Sequence, residues 1–259
     1  MSDLILVQRD AAIATVVLNR PGKLNAITKP MWRRLGEVMR ALSDDEGLRC
    51  VVLRGAGGKA FSPGNDIGEF ETDRSNPEQA KAYGEVLHES LGAVRDCRHP
   101  TVALIEGICV GGGLEIAALC DLRICGESSR FGVPIKRLGL VMAYPELEGL
   151  FRLVGRAATL EILLEGRVFG AAEAREKGLV TRVVPDRKVA EEAYQTARRI
   201  AEGAPLVARW HKGFLRRLED PAPLGAAELD EGYACFGTED FRIGYRAFLE
   251  KTTPVFKGR

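Results

Sequence analysis

Glu115 follows three glycines, with Leu114 between, in the run VGGGLEIAAL (110–119), where a short strand pattern gives way to an apolar helix pattern. Glycines let backbone approach a ligand closely, and the first N–H groups of a helix have no partner inside it. Two ligand types suit such a place: a phosphate, or the oxygen of a polarised carbonyl. The run contains neither G-x-x-x-x-G-K-[ST] nor G-x-G-x-x-G, and a glutamate beside the glycines repels phosphate. A strand-to-helix turn of purely structural use is the third possibility. Glu115 opens the apolar run LEIAALC, so it is expected to be at least partly buried. A buried carboxylate without a partner is costly, which favours a catalytic or hydrogen-bonded role. The alternative is a carboxylate that stabilises the start of its helix.

A second loop narrows these choices. KAFSPGNDIGEF (59–70) follows the strand pattern CVVLRG (50–55), and Pro63 and Gly64 shape a turn before Asn65. Two glycine-shaped loops after neighbouring strands can each aim one N–H at the same point, as an oxyanion hole requires.

The rest of the chain must position these loops. LILVQRD and AAIATVVLNR read as an opening hairpin, and CVVLRG, TVALIEG (101–107) and the end of ALCDLRICG (118–126) as further short strands. Between them, Thr28 can cap a helix through about Leu42, and 77–96 carries apolar residues at helical spacing. Strands alternating with helices imply parallel βα units. GEFETDRSNPEQA (68–80) is polar and acidic, and reads as a mobile loop. After about residue 200 three helical segments follow with no strand between them, which divides the chain into an α/β core over 1–200 and a helical region over 201–259.

Among 259 residues, 46% hydrophobic and 28% charged, there is ample material for a core, and a net charge of +1 supplies no global field for nucleic acid or an anionic membrane. No run of eighteen apolar residues offers a membrane span, and the N-terminus lacks the apolar stretch of a signal peptide. Cytoplasmic placement is therefore expected. The six cysteines fit no zinc spacing and read as reduced core residues. The three histidines, His88, His99 and His211, are scattered and read as surface or packing residues, so no metal site is expected. The basic stretch RWHKGFLRR (209–217) leaves an RNA or protein contact conceivable, although a solvated helix face is the commoner explanation.

Several motifs in order resemble the crotonase superfamily, also called the enoyl-CoA hydratase/isomerase family: LNRPGKLNAI (18–27), AFSPGNDI (60–67), HPTVALIEGICVGGGLEIAALCDLRI (99–124), FGVPIKRLGL (131–140), EAREKGLVTRVVP (173–185) and TEDFRIGYRAFLEKTTPVFKGR (238–259). The resemblance implies a spiral of ββα turns with C-terminal helices that build trimers, commonly paired into hexamers. It implies an acyl-CoA thioester as substrate, an enolate-like intermediate, and no cofactor beyond the coenzyme A of the substrate. By motif position the N–H groups of Asn65 and Gly112 would form the oxyanion hole. The backbone of Asn65, Asp66, Ile67 and Gly68 would line the CoA, with Lys23, Lys251 or Lys257 as partners for its phosphates.

Resemblance also places Glu115 on the first of two glutamates that hydratases use. The second follows the proline of a pattern resembling F-G-x-P-E, and here that position is Ile135, which cannot transfer a proton. Further on, Tyr144, Pro145, Glu146 and Glu148 occupy a stretch that is commonly glycine-rich in the family. Tyr144 or Glu146 could supply a displaced proton donor, or the stretch could begin a helix with Glu146 and Glu148 in its solvated first turn. Enoyl-CoA hydration is the activity expected. Isomerisation, dehydration or decarboxylation of an acyl-CoA, and acyl-CoA binding without turnover, are the alternatives.

Overall fold

The computed structural model describes residues 4–259, so the first three residues of the expected core region lie outside it. The chain begins with strands β1 (Ile5–Asp10) and β2 (Ile13–Leu18), followed by helix α1 (Lys29–Asp44). Strands β3 (Cys50–Gly55) and β4 (Ala60–Ser62) lead to a one-turn helix α2 (Phe70–Asp73) and the long helix α3 (Pro77–Asp96). Next come β5 (Thr101–Ile105), β6 (Ile108–Val110) and helix α4 (Gly112–Leu119), then β7 (Leu122–Gly126) and β8 (Arg130–Gly132). Helix α5 (Tyr144–Glu165), kinked at Gly155, is followed by β9 (Phe169–Gly170), α6 (Ala171–Glu176), β10 (Arg182–Val184) and α7 (Val189–Ala201). The chain ends in α8 (Pro205–Leu218), α9 (Ala226–Glu231) and α10 (Glu239–Glu250).

The strands form two sheets, a six-stranded one in the order β1-β2-β3-β5-β7-β10 and a four-stranded one in the order β4-β6-β8-β9. Successive turns of chain place one strand in each: β3 then β4, β5 then β6, β7 then β8. This is the spiral of ββα units. Pairing is parallel throughout except at the edges, where β1 meets β2 and β8 meets β9 antiparallel. β2 and β5 are buried at every residue, as expected for central strands covered on both faces. One face of the large sheet is covered by α7, and the main core lies on the other side, beneath α1, α3, α4 and α5.

The segment 68–80 is not the mobile loop its polarity implies. A 3-10 turn (Ile67–Glu69) runs into α2, and Asn76 caps α3 by accepting the Gln79 N–H. Thr28 does precede α1, but its hydroxyl makes no capping bond, and Pro30 in the first turn and the buried stripe Met31, Trp32, Leu35, Val38 and Met39 define that helix instead. Each of these large side chains contributes ~1.5–3 kcal/mol through burial.

Candidate active site

The two glycine-shaped loops do come together, but from strands other than the long ones that the sequence makes conspicuous. They follow β4 and β6, neighbours in the small sheet, so that Gly64 and Asn65 leave one strand end beside Gly111 and Gly112 at the other. Gly64 has φ +97° and comes so near Gly112 that an added Cβ would lie 2.7 Å from the Gly112 nitrogen. A Cβ on Gly112 would lie 3.6 Å from the Asn65 nitrogen. Among the described residues neither N–H, of Asn65 or of Gly112, has a hydrogen-bond acceptor. Two adjacent free donors at a helix N-terminus can take a developing oxyanion.

The loop that carries Asn65 is clamped by the segment LNRPGKLNAI. The Ile27 N–H donates to the Gly64 carbonyl and the Asp66 N–H to the Ile27 carbonyl, both at 2.8 Å. Asn25, fully buried, donates to the carbonyls of Ala56 and Ala60 and accepts the Arg20 N–H. Arg20 donates to Asp66 at 2.6 Å and to the Ala26 carbonyl. The guanidinium of Arg20, then the Gly68 N–H and more weakly Lys23, hold the Asp66 carboxyl below its ordinary range. Lys23 is exposed, as are Ile67 and Gly68, and its charge is felt weakly at Asp66.

Trp32 also holds the site, and nothing in its spacing announces the role. Its indole N–H donates to Asn65 Oδ1 at 2.6 Å, and its ring lies 3.1 Å from where a Gly112 Cβ would be. In sequence it is one more buried residue of an amphipathic helix, indistinguishable from core. Trp32→Phe is expected to lower kcat about fivefold, corresponding to about 1 kcal/mol of lost hydrogen bonding, with KM little changed. A tryptophan contributing packing alone would leave kcat unchanged, and steady-state kinetics distinguish the two.

Glu115 sits in the first turn of α4 and is only 7% exposed, with Oε2 buried and unpartnered among the described residues. Burial, followed by the negative charge of Glu146, pushes its pKa up to about 8, against a smaller opposing effect of Arg74. The Arg74 guanidinium is stacked between the rings of Phe70 and Tyr83, 4.8 Å from each centroid. At neutral pH Glu115 is therefore a carboxyl ready to release or accept a proton beside two free N–H donors.

The other predicted positions separate. Ile135 is half-buried and packs against the main core. Tyr144 is 89% exposed, its ring in solvent. Glu146 turns inward, its side chain 12% exposed, with Oε2 accepting the Ala143 N–H and Oε1 3.1 Å from His88 Nε2. Glu148 points away to Arg95 and Arg152. Lys257 pairs with Glu239, while Lys251 is exposed at the end of α10. His211 is exposed as expected, and His99 is fully buried among groups that push its pKa down to about 4, chiefly by desolvation. All four cationic side chains of RWHKGFLRR are engaged within the chain: Arg209 with the Glu46 and Leu48 carbonyls, Lys212 with Asp121, Arg216 with Asp96, and Arg217 with Glu228. A cavity of about 520 Å3 opens behind α4 between α3, α5 and α8; it reaches His88 but not Glu115, Asn65 or Gly112.

The sequence model of the enoyl-CoA hydratase/isomerase family matches residues 8–259. The chain belongs to that family. An enoyl-CoA hydratase/carnithine racemase from Magnetospirillum magneticum superposes with a TM-score of 0.98 at 52% identity, covering 100% of this chain and 97% of that one. A probable enoyl-CoA hydratase of Mycobacterium bovis is 32% identical over 99% of both chains. The short-chain-enoyl-CoA hydratase of Clostridium acetobutylicum is 29% identical over 95% of both. The crotonase-type α/β fold expected from the sequence is the fold observed, and enzymes of the family account for the neighbours.

Proposed function

We propose that the protein is an enoyl-CoA hydratase, adding water in syn fashion across the double bond of a 2-enoyl-CoA. The observation that carries this reading is the pair of unsatisfied N–H groups, Asn65 and Gly112, beside the buried, unpartnered carboxyl of Glu115. The thioester oxygen lies between the two N–H groups. As water bonds to C3, the electrons of the double bond move toward the thioester, and the oxygen charge that develops falls on donors already oriented. Glu115 supplies acid–base chemistry at the same carbon pair, and C2 receives the proton that completes the product. Names of relatives agree, among them a short-chain-enoyl-CoA hydratase.

Coenzyme A runs along Asn65, Asp66, Ile67 and Gly68, with Lys23 at its phosphates; Lys251 is a further partner, and Lys257 would first have to leave Glu239. No cofactor is needed beyond the coenzyme A of the substrate. The helical region 201–259 mediates a homo-oligomer, a trimer or a pair of trimers. Supporting this, Tyr233, Phe236, Phe248 and Leu249 are 58–82% exposed in the single chain, an unusual apolar surface for a monomer. No helix among the described residues is long and apolar enough to cross a membrane, which accords with a cytoplasmic enzyme.

The test is the loss of conjugated-thioester absorbance when enzyme meets crotonyl-CoA, with light scattering to weigh the assembly. Turnover supports the reading. Tight binding of crotonyl-CoA with no turnover overturns it in favour of another enolate reaction, the second reading that Ile135 keeps in view, or of acyl-CoA binding alone.

A further inference from the structure

Ile135 leaves Glu115 without its customary partner, yet a one-carboxylate hydratase must take a proton from water and return it to carbon with a single group. We propose that Glu146, oriented by His88, is the second carboxylate of the Glu115 site, entering from the first turn of α5 instead of from the turn after β8. The inference rests on the hydratase reading above.

Three observations carry it. Of the polar side chains in 144–148, only Glu146 turns inward: Tyr144 stands in solvent, and Glu148 is drawn off by Arg95 and Arg152. Glu146 is fixed at both oxygens, each at 3.1 Å: the Ala143 N–H is the usual cap for an acid in the third position of a helix, and His88 from α3 adds a second hold that capping does not require. Finally, α5 packs on both α3 and α4, and Glu146 is the acidic neighbour whose charge is felt at Glu115, whose own Oε2 has no hydrogen-bond partner among the described residues. The groups facing this pair are His88 from α3, Arg74 from the end of α2, and the backbone N–H groups opening α4 and α5. His88 touches Glu146 and not the reacting atoms, so it is a positioning residue.

Two carboxyls holding one proton between them complete the chemistry. Water oxygen bonds to C3 as its proton passes to the ionised carboxylate. The π electrons of C2=C3 shift to form the enolate, whose oxygen rests on the Asn65 and Gly112 N–H groups. The protonated carboxyl then gives its proton to C2 as the thioester carbonyl re-forms. The pair ends with one proton, as it began, and water has been consumed. A lone Glu115 would have to start ionised.

Those two schemes predict opposite pH profiles. A lone Glu115 acting as base gives kcat/KM that rises with pH through about 8. A pair active only when singly protonated gives kcat/KM that falls through an upper apparent pKa near 8. The experiment compares wild type, Glu115→Gln, Glu146→Gln, His88→Asn and the Glu146→Gln/His88→Asn double variant on crotonyl-CoA across this range. Glutamine keeps a carbonyl oxygen for the Ala143 N–H, so helix α5 retains its cap. Glu146→Gln should lower kcat by about 10²–10⁴-fold with KM nearly unchanged, and turn the falling alkaline limb into a rising one. His88→Asn should cost about tenfold in kcat alone, and should add nothing in the double variant, because it acts through Glu146. A wild-type profile that rises through pH 8, or Glu146→Gln within threefold of wild type while Glu115→Gln is inactive, overturns the proposal and leaves the hydratase reading standing. A wild type inert toward crotonyl-CoA overturns both.

Discussion

Glu115→Gln is expected to lower kcat for crotonyl-CoA hydration by at least ~10²-fold and, at the same time, to raise the melting temperature. The two effects share one cause. Glu115 ionises near pH 8 in the folded protein against an ordinary value of 4.5, because burial and the charge of Glu146 both oppose its charge. Below pH 4.5 the carboxyl is protonated whether the chain is folded or not, and costs nothing. As pH rises from 4.5 toward 8, the unfolded chain gives up this proton and the folded chain does not, so folded stability falls. Above pH 8 the cost is constant. At pH 7 it is on the order of 3 kcal/mol, an upper figure because the neutral amide also loses hydration when buried. Melting curves of wild type and variant should therefore nearly coincide near pH 4.5 and diverge steadily up to pH 8. A parallel offset at every pH would mean that Glu115 is not a strained, buried carboxyl. Wild-type turnover by the glutamine variant would remove it from the chemistry.

The second large effect belongs to Gly64→Ala. The new methyl group would lie 2.7 Å from the Gly112 nitrogen, against one of the two donors, at a backbone position of φ +97° that disfavours any side chain. Blocking one oxyanion donor costs ~2.7–4 kcal/mol in the transition state, so kcat should drop by about 10²–10³-fold. The left-handed backbone adds a folding cost of roughly 1–2 kcal/mol. Kinetics and urea unfolding separate the two. A destabilised variant that retains its kcat would show that Gly64 serves the turn alone and that the oxyanion is held elsewhere. Because both donors are backbone groups, truncating Asn65 to alanine tests the site only indirectly, through loss of the Trp32 indole bond.

Much of this site is legible in the chain itself, for a local reason. Glycines at 64 and 111–113 mark backbone that must turn sharply or be approached closely, and a glutamate opening an apolar helix has few ways to avoid burial. Those are properties of short segments. The alternation of strand and helix is legible likewise, but β4, β6 and β8, at three residues each, are too short to show a period, so the ββα order is implied only by the family resemblance, and the two donor loops follow two of these short strands. The polarity of 68–80 misled for a related reason: an amphipathic turn of four residues, α2, has no pattern long enough to distinguish it from a loop.

Other roles arise only when distant segments meet. Trp32 lies 33 positions from the asparagine it holds, and Arg20 lies 46 from Asp66. His88 and Glu146 are 58 apart, and each alone is an unremarkable polar residue on a helix. In the sequence, Glu146 and Glu148 are equivalent first-turn acids; in the fold, the packing of α5 on α3 and α4 draws one inward to His88, where its charge is felt at Glu115, and leaves the other to surface arginines. The chain on its own places a carboxylate and two glycine-shaped loops where the proposed enolate chemistry would need them. Which other carboxylate stands close enough to feel that one is a matter of Coulomb's law, and distances through space are set by tertiary packing.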